Sequence, residues 1–146
     1  MLKKNQFWKA RSKHGRDKIF KSPKQLWDAC VEYFDWCEKN PIITYKPFSS
    51  DGKSWNHEVP VMRAMTIQGL CIFLDVTTET WNNYKKDKDF FGVITRAEEV
   101  MYNQKFTGAS AGVLNANIIA RDLGLKEQTE NKHEVKDVTP PIKWDE

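Results

Sequence analysis

The residues with the clearest capacity for recognition chemistry lie between Thr78 and Lys86, in the segment TETWNNYKK. Thr78, Thr80, Asn82 and Asn83 carry groups that hydrogen-bond to base edges, and Lys85 and Lys86 carry charges that pair with phosphate. Nucleophiles, bases and metal ligands show no such concentration. His14, His57 and His133 are scattered through the chain. His57-Glu58 and His133-Glu134 are adjacent rather than spaced to share a helix face, so neither makes a metal site. Asp87 and Asp89 could be read as a nuclease acid pair, but acids interleaved with lysines more often form a solvated face. Ser49, Ser50 and Ser54 have no His or acid partner identifiable from spacing. There is no Gly-x-x-x-x-Gly-Lys phosphate loop, so ATP hydrolysis is not expected. The expectation is a binding protein with no catalytic residue, cofactor or metal.

A second candidate surface is electrostatic. Residues 1–24 hold nine lysines or arginines against one acid, Asp17, whereas the whole chain nets only +3. A basic segment on a chain whose remainder is net negative suggests an arm that meets phosphate. Lys9, Arg11, Lys13, Arg16 and Lys18 are its candidate contacts. Phe7, Trp8 and Phe20 interleave with the cations and could pack the arm onto a body or stack on bases. The alternative is a solvated arm whose charge serves solubility.

The elements that must position these groups follow from local signals. Thr66 caps a first helix with Ile67, Leu70, Ile72, Phe73 and Leu74 as its apolar face. Asp75-Val76-Thr77 breaks it, because Asp competes for backbone hydrogen bonds and two β-branched residues follow. Thr77 or Thr78 then caps a second helix that buries Trp81 and Tyr84. Two short helices joined this way are either a helix-turn-helix, whose second helix can enter a DNA major groove, or an ordinary helical hairpin in a core.

Around that unit, Ser22-Pro23 starts a helix that ends before Asn40-Pro41. Leu26, Cys30, Val31, Phe34 and Cys37 form its core face, widened by Trp27, Tyr33 and Trp36. Ile42–Lys46 and Trp55–Val59 read as strands around Ser49-Ser50-Asp51-Gly52, a hairpin signal. Pro47 and Pro60 are expected to deny them full pairing, and an isolated two-stranded ribbon needs partners. A long helix is expected from about Asp89 to Phe106, interrupted or kinked at Thr107–Gly112. A further helix should run through Val113, Leu114, Ile118 and Ile119 to Leu123, with Gly124 as its C-cap. Cys30 and Cys37, roughly 10 Å apart along one helix, cannot bridge, and all three cysteines read as buried apolar residues. No apolar run approaches a membrane span and no secretory signal is evident, so a soluble protein of the cytoplasm is expected. The domain reading is a basic arm at 1–21, a helical core at 22–125 and a polar tail at 126–146. Within the core, the β-hairpin occupies about 42–60 and the helix-turn-helix-like segment about 66–86.

Three stretches also carry a resemblance: FWKARSKHGRDKIFKSPKQLWDACVEYFDWCEKNP, MRAMTIQGLCIFLDVTTETWNNYK and VITRAEEVMYNQKFTGASAGVLNANIIARDLGLKEQ. In this order, over most of residues 7 to 128, they resemble the small terminase subunit of headful-packaging, short-tailed phages. MTIQGL and ANIIARDLGLKEQ match in consecutive residues. The resemblance implies a mainly α subunit with a projecting β-hairpin, assembling into a ring-shaped, commonly nonameric homo-oligomer in the host cytoplasm. It implies recognition of the packaging site on concatemeric double-stranded viral DNA, and recruitment and regulation of the large terminase subunit, the ATPase and nuclease. Relatives end in a strongly basic tail, whereas residues 126–146 here hold four lysines against six acids. Such a tail binds phosphate poorly, which shifts DNA contact towards the arm or the helix-turn-helix. Ile142 and Trp144 could still anchor the large subunit. Two readings from other classes stand beside this one, a dimeric helix-turn-helix regulator and a purely structural ring adaptor.

Overall fold

A computed structural model describes residues 5–12 and 20–126. The described chain is mainly helical, with one antiparallel hairpin. A 3-10 turn at Phe7–Lys9 precedes α1 (Pro23–Lys39), β1 (Ile42–Ser50) and β2 (Lys53–Val61). Then follow α2 (Ile67–Leu74), α3 (Thr78–Lys86), α4 (Phe91–Ser110) and α5 (Ala116–Asp122).

The helix starts obey the capping logic of the sequence. Ser22 Oγ accepts from Gln25 N and Pro23 takes the first helical position of α1. Thr66, Thr77 and Asn115 cap α2, α3 and α5 in the same way, each accepting from the backbone N–H three residues on. Each cap satisfies one of the donors that a helix N-terminus leaves open. Gly124, at φ +70, ends α5, and Leu125 N–H closes the turn onto Ala120 O.

α1 packs on α2 and α4, and α3 and α5 both pack on α4. Leu26, Cys30, Phe34, Leu70, Phe73, Leu74, Trp81, Ile94, Ala97 and Met101 form the core between them. Tyr33 is more deeply buried than Val31, Trp27 or Trp36, so the core face of α1 is rotated slightly from the expected stripe. Tyr33 Oη accepts from Thr66 N–H at 3.2 Å, which holds the start of α2 against α1. Gly69 permits this approach, since a Cβ there would stand 2.5 Å from Tyr33 Oη.

Four expectations are corrected. Ile72, expected on the buried face of α2, is 39% exposed, because the packing of α2 on α1, α3 and the 3-10 turn buries Leu70, Cys71, Phe73 and Leu74 and leaves Ile72 outside it. The strands run past both prolines, with Pro47 opposite Asn56 and Pro60 opposite Ile43. In a two-stranded ribbon each strand keeps one free edge, so a missing N–H need not cost a ladder bond. α4 continues through Gly108 to Ser110, where Gly108 is buried under Leu114 and Met62, whose side chains would have to shift to admit a Cβ. α5 begins at Ala116 rather than Val113, leaving Val113 and Ile118 exposed.

The hairpin pairs almost wholly with itself and projects from the helical body. Asp51 and Gly52, at φ 52° and 76°, make its two-residue turn, the positive-φ pair that matches strand twist. Its base is tied down by α4, where Gln104 Oε1 accepts from Met65 N–H at 3.0 Å and Gln104 Nε2 donates to Arg63 O at 2.9 Å.

Candidate nucleic-acid interface

α3 is anchored by two residues and open over the rest of its surface. Trp81 is 1% exposed and points into the core. Its Nε1–H donates to Glu98 Oε1 on α4 at 3.2 Å. Tyr84 packs against Phe90, ring centroids 4.8 Å apart. With these two turned inward, helical periodicity turns Asn82, Asn83 and Lys86 outward, and all three are exposed.

The other candidates on this helix fare differently. Thr78 is exposed in the first turn. Thr80 is half-buried, and its hydroxyl is engaged with Thr77 Oγ1 at 3.0 Å in the cap itself. Lys85 is half-exposed but paired with Glu98 Oε2 at 3.0 Å. One carboxylate thus binds both Trp81 and Lys85, and a ligand phosphate would have to compete with it for the lysine. Asn82, Asn83 and Lys86 form the free chemical face, suited to base-edge hydrogen bonds with a phosphate contact at one end.

The described part of the N-terminal arm is docked. Ser12 N–H donates to Phe73 O at 3.0 Å, and Ser12 Oγ donates to Glu32 Oε2 at 2.9 Å. The Asn5 side-chain amide takes the place of a strand partner at the hairpin base, its Nδ2 donating to Ile43 O at 3.0 Å and its Oδ1 accepting from Ile43 N–H at 2.9 Å. Arg63 lies between the Phe7 and Trp36 rings, 5.7 and 4.9 Å from their centroids, and donates to Asn40 O. Lys9 lies over Trp8, and Arg11 donates to the carbonyls of Trp8 and Ala10. Lys9 and Arg11 are both exposed, but neither adjoins α3 through any contact the structure records. Lys13, Arg16 and Lys18, and the tail residues Ile142 and Trp144, lie outside the described residues.

Two parts of this arrangement have no signal in the sequence. Glu98, thirteen residues beyond Lys85, reaches α3 only through the packing of α4. Phe20 was legible as a packing aromatic, but not its partner: its backbone N–H donates to Tyr84 Oη at 2.9 Å.

The three cysteines are free thiols buried in the fold. Burial pushes the Cys30 thiol up to about 12, with Cys71 nearby adding to the shift, and burial pushes Cys71 up to about 11. Cys37 is raised by burial as well. Thiols so disfavoured as thiolates are poor nucleophiles at neutral pH. Among the described residues, no group of His, Cys, Asp and Glu is arranged to hold a metal ion, and no helix is long and apolar enough to cross a membrane. A cleft of about 310 Å³ lies between the 3-10 turn, the end of α1 and the hairpin base, and no Ser, Cys, His, Asp or Glu lines it.

The family model described as DNA-packaging protein gp3 matches residues 15–131. The chain is 56% identical over 138 residues to the terminase small subunit of Salmonella phage P22, covering 94% of this chain and 83% of that protein. The family match spans the hairpin and α1 to α5, and so the chain belongs to the DNA-packaging protein gp3 family.

Proposed function

We propose that this chain is the DNA-recognition subunit of a phage packaging terminase, acting in the host cytoplasm as a ring-shaped homo-oligomer without catalysis of its own. In this reading it recognises the packaging site on concatemeric double-stranded viral DNA, then recruits and regulates the large terminase subunit. The observation that carries the reading is the 56% identity to a terminase small subunit over nearly the whole chain. That identity also sets aside the transcriptional regulator.

The geometry supports the finer points. α2, the three-residue turn and α3 make a helix-turn-helix-like unit, with Asn82, Asn83 and Lys86 facing outward. Asn pairs naturally with adenine edges and Lys with guanine or phosphate. The hairpin and the exposed Tyr102, Phe106, Val113 and Ile118 offer apolar surface to neighbouring copies. Head-to-tail contacts of one patch with a different patch close into rings.

The test is competition binding. Duplex carrying the phage packaging region should outcompete random duplex of equal length for the purified chain. Asn83→Ala combined with Lys86→Ala should reduce that preference by about tenfold or more. Equal affinity for both duplexes would contradict sequence recognition, and no binding to either at low salt would favour a structural adaptor.

A further inference from the structure

We infer that Lys21 and Lys24, at the bend leading into α1, form the phosphate-binding flank of the α3 surface. The inference rests on the reading of α3 as a DNA-contacting helix.

The bend is fastened to α3 at Tyr84. Besides the hydrogen bond from Phe20 N–H to Tyr84 Oη, the two rings meet edge to face with centroids 6.2 Å apart. Phe20 is 2% exposed, so it works as a buried plug at this point. The next residue therefore leaves from a fixed position beside α3. Lys21 N–H is held in turn by Gln25 Oε1 at 3.1 Å, and the Ser22 cap fixes the first turn of α1. Both lysine side chains project from this rigid backbone into solvent, and neither pairs with an acid among the described residues.

The side of α3 that they border follows from helical geometry. Residues succeed one another by about 100°, so Tyr84 adjoins Thr80 and Trp81 and is flanked by Asn83 on one side and Lys85 on the other, with Lys85 and Trp81 turned towards Glu98 of α4. Lys21 thus follows directly on the residue clamped to Tyr84, between whose neighbours Asn83 and Lys85 the exposed face of α3 opens. Phosphate contacts beside a reading helix fix its register on the duplex. On the α4 side Glu98 already neutralises Lys85. On the Phe20 side the lysines make no ion pair with a described acid and are mounted on a clamped backbone. Tyr84 acts as a positioning residue for them.

The experiment measures binding to a short random-sequence duplex across a salt series, using the full chain. It compares wild type, the double substitution Lys21→Gln with Lys24→Gln, and a control of equal charge change on the hairpin, Lys46→Gln with Lys53→Gln. The bend variant should bind roughly 3- to 10-fold more weakly, and its slope of log affinity against log salt should flatten by about 2, as expected for two lost phosphate contacts. The hairpin control should stay near wild type. Tyr84→Phe, which keeps the ring and loses the hydrogen bond, should shift the slope in the same direction by less. A bend variant with the slope of the hairpin control overturns the inference, and if Lys86→Gln still weakens binding, the α3 reading survives it. Absence of wild-type duplex binding would remove both.

Discussion

Glu98 is bound by Trp81 and Lys85 at once, and the two bonds differ in weight. The indole N–H is buried, so loss of its acceptor leaves an unsatisfied donor, at a cost of about 1–3 kcal/mol. The pair with Lys85 is largely exposed and contributes about 0–1 kcal/mol. Glu98→Ala should therefore lower stability by roughly 1–3 kcal/mol, whereas Glu98→Gln, which keeps an acceptor oxygen, should cost under about 1 kcal/mol. Denaturant melts of the two variants would separate the contributions, and equal losses would mean the indole bond carries no weight. Gly69 gives a second prediction. A Cβ at this position would meet Tyr33 Oη at 2.5 Å and Thr66 Oγ1 at 2.9 Å, so Gly69→Ala should cost about 1–3 kcal/mol despite the higher helix propensity of Ala. Tyr33→Phe removes the clashing oxygen, so a double-mutant cycle should show coupling between the two sites. Caps were legible at this scale because Ser22, Thr66, Thr77 and Gly124 act within their own turn. The end of α2 was legible in place but not in mechanism: Asp75 adopts a left-handed conformation, φ 59° and ψ 41°, that glycine usually supplies. Glu98 and the constraint on Gly69 were not legible, because both depend on residues distant in sequence.

At the scale of elements, α1 and α2 share a core whose ionisation sets an alkaline limit. Cys30 and Cys71 are held well above their ordinary value of 9.0, at about 12 and about 11. The fold thus favours the neutral thiols. That stability is fully present below about pH 9 and is lost as pH rises towards 11 to 12. Chemical denaturation should give a falling midpoint across that window, and thiol reagents at neutral pH should modify Cys30 only on unfolding. α5 depends on fewer contacts. Ile119 is its buried anchor, and Lys105 on α4, itself buried, pairs with Asp122 near the end of α5. Asp122→Ala should leave a buried ammonium uncompensated, and because Asp122 is partly exposed the loss should be about 1–3 kcal/mol. Hydrogen exchange should locate that loss in residues 116–125, and protection unchanged there would show that the pair does not hold α5. Helix and strand identities were legible from periodicity and turn chemistry. The misread boundaries share one cause: Pro47, Pro60, Gly108 and Val113 were judged by propensity alone. In the fold, a free ribbon edge tolerates the prolines and Leu114 packing rewards the glycine.

For the whole molecule, the surface left uncovered carries the argument. Phe48 and Trp55 stack with centroids 6.5 Å apart on one face of the hairpin, joined by His57, and among the described residues the two strands pack chiefly against each other. Tyr102 and Phe106 stack in parallel on the exposed side of α4, beside an apolar groove formed with α5. These are large aromatic surfaces for a chain of 146 residues, and they are the kind that assembly covers. The expectation of partners comes from the hairpin alone, since a two-stranded ribbon is marginal by itself. Which surfaces would meet in an assembly is not legible, because complementarity between copies leaves no periodic mark on one sequence. The central claim, a ring-forming recognition subunit, is tested most directly by the mass of the purified chain in solution, by native mass spectrometry or light scattering. The account predicts one discrete closed assembly of many subunits, which Phe48→Ser with Trp55→Ser should destabilise. A monomer or a simple dimer at the concentrations where duplex is bound would contradict it.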